Sequence, residues 1–132
     1  MFNLAYSYTS SDGDLINVWG MNPSYTNGLV KNRNRAGEQG GLGSVSYDFA
    51  KLGLAGLSAS AIYAYGWSAI SPRSGAAVAD QHELDLTLDY CVQKTLFKGL
   101  WLRVQRLFVQ ALGEAEPTSE WRIILNWDIP LI

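Results

Sequence analysis

The sequence predicts an all-β fold, an antiparallel up-and-down meander of six strands. Three observations predict it. Apolar and polar residues alternate with a period of two in six separate segments. The connections between those segments alternate between long and short. Aromatic residues gather near the ends of the apolar faces, and the composition of 13 Gly, 5 Trp, 7 Tyr and 4 Phe suits strands and turns better than helices.

The first segment runs from Phe2 to Tyr8, with Phe2, Leu4, Tyr6 and Tyr8 on one face and Asn3, Ala5 and Ser7 on the other. The second runs from Leu42 to Phe49, where Val45, Tyr47 and Phe49 oppose Ser44, Ser46 and Asp48. In the third, Leu57 to Trp67, residues Leu57, Ala59, Ala61, Tyr63, Tyr65 and Trp67 share one face. The fourth, His82 to Val92, alternates most cleanly: Leu84, Leu86, Leu88, Tyr90 and Val92 oppose Glu83, Asp85, Thr87, Asp89 and Cys91. A helix is excluded there, because a 3.6-residue period would scatter the leucines around the axis. The fifth runs from Leu100 to Gln110. Its Leu100, Leu102, Val104 and Phe108 oppose Trp101, Arg103, Gln105, Leu107 and Val109, and parity places Arg106 on the apolar face. The sixth runs from Trp121 to Ile129, with Trp121, Ile123, Leu125, Trp127 and Ile129 opposing Arg122, Ile124, Asn126 and Asp128.

In a meander, every second connection lies at the same end. Short turns near 50–56 and 93–99 therefore fall at one end. The long loop 10–40, the loop between Trp67 and His82 and the medium one near 111–120 fall at the other. Strands of about 9–11 residues, short turns at one end and long loops at the other describe a transmembrane β-barrel. Phe49, Tyr90 and Trp127 at the short-turn end, with Tyr8 and Trp67 at the long-loop end, suit the two interfacial depths of a bilayer.

Charge and composition exclude other classes. The chain has 132 residues, 10 Lys+Arg against 12 Asp+Glu and a net charge of −2, which leaves no basic field for nucleic acid. Hydrophobic residues make up 48% and charged ones 17%, which argues against disorder. A single cysteine, Cys91, rules out an internal disulfide, and with one histidine, His82, no His- or Cys-based metal centre is expected. The N-terminus has neither the positive start nor the apolar core of an export signal. No apolar run approaches the ~18–20 residues of a spanning helix.

Several stretches then resemble the OprD-type family of substrate-selective outer-membrane porins. They are Asn22-Pro23-Ser24-Tyr25-Thr26 with Asn34-Arg35-Ala36-Gly37-Glu38, Ser46-Tyr47-Asp48-Phe49 with Leu54-Ala55-Gly56-Leu57-Ser58, and Glu83 to Tyr90. Lys98-Gly99-Leu100-Trp101-Leu102-Arg103 and Arg122-Ile123-Ile124-Leu125-Asn126 continue the series to the end. The resemblance implies a barrel of about eighteen strands, of which this chain would be the C-terminal third. It also implies a bacterial, Gram-negative outer-membrane location and passive diffusion of small solutes such as basic amino acids or small carboxylates, with no cofactor. The implied partners are outer-membrane lipid and lipopolysaccharide, the solutes, and the missing N-terminal remainder of the barrel. Inward arginines guide substrate in this family. Arg103 and Arg122 fit that row, whereas Ile62, Cys91 and Gln105 depart from it. Six strands cannot close a membrane barrel, so residues 1–132 are expected to form one incomplete barrel segment that does not conduct alone.

The expected pore-lining set is Asp48, Glu83, Asp85, Asp89, Arg103, Arg122 and Asp128, a net acidic wall that would favour cations. Each residue has a second reading as half of a cross-strand ion pair, with Asp89 and Arg103 expected opposite or diagonal. In the long loop, Tyr25, Lys31, Arg33 and Arg35 (beside Trp19) are candidates for solute contact if the loop folds inward, or solvated residues if it does not. Gly37, Gly40, Gly41 and Gly43 lack the following helix of a phosphate-binding loop and read as loop flexibility and strand entry. Asp85 and Asp89 lie ~13 Å apart along a strand, too far for paired-carboxylate hydrolysis. With no convergent acid, base and nucleophile, no enzyme is expected. The competing fold is a soluble β-sandwich or small-barrel ligand-binding domain, with the apolar faces packed inward.

Overall fold

A computed structural model describes residues 1–16, 25–94, 96–111 and 118–127. The six strands are β1 (Phe2–Tyr8), β2 (Gln39–Asp48), β3 (Leu57–Trp67), β4 (Gln81–Cys91), β5 (Leu100–Ala111) and β6 (Thr118–Trp127). They form one antiparallel sheet in the order β1-β2-β3-β4-β5-β6, each strand paired with its neighbours in sequence. Among the described residues, β1 and β6 do not pair with each other, so the sheet stays open at both edges.

Because directly opposed residues share a face, the register propagates parity from edge to edge. The row Phe2–Val45–Ala61–Leu86–Arg106–Trp121 lies on the outer face. The row Asn3–Ser44–Ile62–Asp85–Leu107–Glu120 lies on the inner face. The register runs unbroken through Thr87–Gln105–Arg122, so Arg106 stays on the apolar face, as its parity predicts.

Large apolar side chains of the outer face are open to the surroundings: Leu86, Leu88, Ile123 and Leu125, the last 68% exposed. No second sheet covers them among the described residues, so the sandwich alternative does not describe this chain. Tyr6, Tyr65 and Trp67 form contacting rings near the long-loop end, while Tyr47 packs on Phe49 and Phe97 on Trp127 at the other. On β3, Leu57 to Trp67 spans ~33 Å of strand, or ~25 Å of height at a ~40° tilt, the height of an outer-membrane apolar band.

The short turn after β2 is built from local signals. The Asp48 carboxylate accepts the Ala50 N–H at 2.8 Å and caps a 3-10 turn at Phe49–Leu52. Gly53 ends that turn at φ 85°, a conformation costly for other residues.

Several boundaries differ from expectation, by one residue at both ends of β4 and at the ends of β2 and β5, and by more elsewhere. Phe49 leaves β2 for the 3-10 turn. β2 starts at Gln39, so Gly40 and Gly41 join Gly43 within the strand and the loop ends at residue 38 rather than 40. These glycines carry no hydropathy, so alternation could not register them. β6 begins at Thr118, before Trp121, because Thr118 and Ser119 pair with Val109 and Phe108. The β5–β6 connection therefore spans only 112–117 and is as short as the turns at the opposite end. Asp128 and Trp19 lie outside the described residues.

Candidate functional site

The inner face is polar along β4 and is roofed by residues 25–38 of the loop between β1 and β2. Contacts to four strands hold that segment across the sheet. Thr26 Oγ1 and Ser7 Oγ of β1 share a hydrogen bond of 2.5 Å. Arg33 Nη2 donates to the Ala64 carbonyl of β3 at 3.1 Å. Gln81 Nε2 of β4 donates to the Asn32 carbonyl at 3.0 Å. Arg122 Nη1 of β6 donates to the Leu29 carbonyl at 3.4 Å.

The strongest anchors are two carboxylates of β4. Glu83 accepts the backbone N–H groups of Val30 at 2.7 Å and Lys31 at 2.8 Å. Asp85 accepts the Leu29 N–H at 3.1 Å. A turn closed by Gly28 N–H donating to the Lys31 carbonyl aims these three successive amides at the sheet. Such a concave run of N–H groups is an anion cradle, here filled by the protein's own carboxylates. A Cβ at Gly28 would collide with the Glu83 carboxyl group. Gly66 is constrained likewise, since a Cβ there would meet Glu38 and Arg33.

Arg33 completes the network. Its side chain is fully buried, its Nη1 lies 3.5 Å from Glu83 Oε2, and Nη1 also donates to the Lys31 carbonyl at 2.6 Å. Burial pulls the Arg33 guanidinium below its ordinary pKa, opposed by Glu83 and Glu38. It stays cationic, because arginine begins so high. Arg35 pairs with Glu38 at 2.6 Å and donates to the Ala79 carbonyl at 2.9 Å, which ties the long loop to the one between β3 and β4. Glu38 also accepts from Gln81 at 3.1 Å.

The candidates named from sequence thus separate into groups. Glu83 and Asp85 sit on the inner face, yet they are 0% and 1% exposed under the loop. Arg33 and Arg35 are held by carboxylates and carbonyls. Tyr25 and Lys31 lie on the solvent side of the loop, Tyr25 being 86% exposed. Asp89 and Arg103 stand directly opposite each other, as parity predicts, in a two-pronged pair of 2.7 and 3.0 Å. The Arg103 guanidinium also lies over the Trp101 ring at 4.5 Å. Arg122 pairs with Glu120 at 2.6 Å. Asp48 shares their face but serves as the turn cap.

Glu38, Gln81, Gly28 and Gly66 were not singled out from the sequence. Only the Asn27-Gly28 dipeptide, a turn signal, could have pointed to the cradle. The arrangement offers no reacting constellation. It offers a wall of paired charges and an inward loop fixed at a set height.

Comparison with known proteins agrees with this geometry. OccK11 (OpdR) of Pseudomonas aeruginosa superposes with a TM-score of 0.85 and 28% identity, over 99% of this chain and 35% of that one. OccK9 (OpdG) of the same organism gives 0.82 and 29%, over 98% and 34%. OpdK of P. aeruginosa, crystallised with vanillate, shares the fold at 0.83 and 21%, over 96% and 33%. The chain therefore spans about a third of the length of these structures. No curated protein sequence matches it. The profile described as outer membrane porin, OprD family, matches residues 1–131, and the chain belongs to that family.

Proposed function

We propose that this chain forms the C-terminal third of the wall of an outer-membrane channel for passive diffusion of small solutes, and that it favours small carboxylates over basic amino acids. The observation that carries this reading is the capture of Glu83 and Asp85 by the loop. With those two carboxylates covered, the acidic excess of the wall is largely gone. What remains toward the lumen is the Asp89–Arg103 pair, the Arg122–Glu120 pair, Asp48 and Lys31, a set with no net charge, so no acidic field repels a carboxylate and Lys31, exposed on the loop, stands ready to meet one. Asp48, Asp89, Arg103 and Arg122 are the proposed lining residues, and Tyr25 and Lys31 the proposed solute contacts. A vanillate-bound relative fits a carboxylate solute. Alone, the six strands enclose no lumen and conduct nothing.

The test has two arms. The isolated chain in a planar bilayer should give no stable single-channel conductance; steady openings would overturn the fragment reading. Residues 1–131 grafted in place of the matching third of OccK11 should conduct, and Lys31→Glu in that hybrid should lower benzoate permeation several-fold relative to lysine. Unchanged benzoate-to-lysine selectivity would overturn the solute assignment.

A further inference from the structure

Arg106 is the one formally charged side chain on the outer face of the six strands among the described residues. Its guanidinium is clamped between two rings, 4.8 Å from the Phe108 centroid and 4.9 Å from the Trp121 centroid. Nη2 donates to Ser119 Oγ at 2.9 Å. No carboxylate pairs with it among the described residues. A cation facing lipid costs about 2–4 kcal/mol at the bilayer midplane and about 0–1 near the interface, so its height matters.

The register supplies that height. With ~4.8 Å between strands and a ~40° tilt, a row of paired residues climbs ~3 Å per strand. The row that starts with Phe2 at the short-turn end of β1 reaches Trp121, three residues from the long-loop end of β6. Four such steps carry Arg106 about 12 Å up a band of about 25 Å, to mid-height, six residues from the start of β5 and five from its end. Its bond to Ser119, two residues further up β6, aims the charge at the upper interface. Below it, the same row and its neighbour form an apolar groove of about 530 Å³. Ala59 and Ala61 make its floor, Tyr47 and Leu88 flank it, and Arg106 and Trp121 stand at its upper end.

We propose that this is a lipid site, in which Arg106 takes the phosphate of an outer-leaflet phosphoglycolipid of the lipid A type and the groove takes one of its acyl chains. Charge complementarity chooses the occupant. The cation, which meets no carboxylate among the described residues, favours an anion lying toward the upper interface, and the groove running down from it favours an apolar tail joined to that anion. A second copy of this face offers no carboxylate among the described residues. The inference draws on membrane placement of the outer face but not on solute passage, so the two can fail separately.

The test titrates the detergent-solubilised 132-residue chain with fluorescent lipid A, with the same lipid stripped of its phosphates, and with inorganic phosphate as competitor. The phosphorylated lipid should bind at least about tenfold more tightly than the stripped one, the scale of a lost charge-assisted contact. Arg106→Gln should remove that preference and Arg106→Lys should keep part of it. Ala61→Phe, which fills the groove, should weaken both lipids. Inorganic phosphate should compete only weakly. Equal affinity for both lipids would overturn the proposal, and that arm needs no substitution. So would full competition by inorganic phosphate, or Arg106-dependent self-association of the chain without lipid.

Discussion

The two faces of β4 are one residue apart in sequence and opposite in physical chemistry. Leu86 and Leu88 face outward and exposed, with Leu84 half-buried among its neighbours on the same face, whereas Glu83 and Asp85 lie buried under a loop whose backbone they hold. The outer face needs no partner from its own chain, because in a membrane the acyl tails are its solvent. The inner face holds charge without solvent, where a charge needs a counterpart; the loop supplies one for Glu83, while Asp85 receives a single amide and keeps its other oxygen without a hydrogen bond among the described residues. The inner network therefore follows from two carboxylates meeting three amides and one guanidinium, while the outer face of the described strands holds its single formal charge, Arg106, between two aromatic rings and the Ser119 hydroxyl.

The sharpest way to break the inner face is Glu83→Leu. It strands Arg33 in a buried position and removes two amide acceptors, and losing one partner of a buried pair costs about 3–5 kcal/mol. Amide hydrogen exchange should show Val30 and Lys31 losing protection, with the strand cores little changed. Gly28→Ala should cost less, about 1–3 kcal/mol, because the Glu83 carboxyl must shift to admit one methyl group. It should raise cleavage of residues 25–38 in limited proteolysis. Asp89→Ala should have the smallest effect, at most about 1 kcal/mol in a urea titration, since its pair with Arg103 is partly solvated. An effect at Asp89 equal to that at Glu83 would remove the distinction between roofed and open parts of the inner face.

The strands were legible in the sequence because alternation depends only on adjacent residues, and β1 and β3 match their predicted ranges. The Asp89–Arg103 pair was legible because a short turn carries parity across. Other features left no trace. The start of β2 is hidden by glycines whose role is to lie beneath other groups: Gly40 under Arg33, Ser7 and Thr26, and Gly41 under the Trp67 ring. The roofing of Glu83 and Asp85 was illegible because their partners are backbone amides more than fifty positions away, and backbone donors have no sequence signature. For the same reason, a charge count from sequence cannot register that Glu83 and Asp85 are covered.

Parity divides lipid from lumen, and neighbouring substitutions on β3 put that division to the test. Ala61→Arg and Ile62→Arg introduce the same charge at nearly the same height on opposite faces. In urea titrations of the OccK11 hybrid carrying residues 1–131, refolded into phosphatidylcholine vesicles, Ala61→Arg should lose about 2–4 kcal/mol. Ile62→Arg, which faces Asp85 across the strand pair, should stay within about 1 kcal/mol of the parent. Equal losses, or a larger loss at Ile62, would contradict the account.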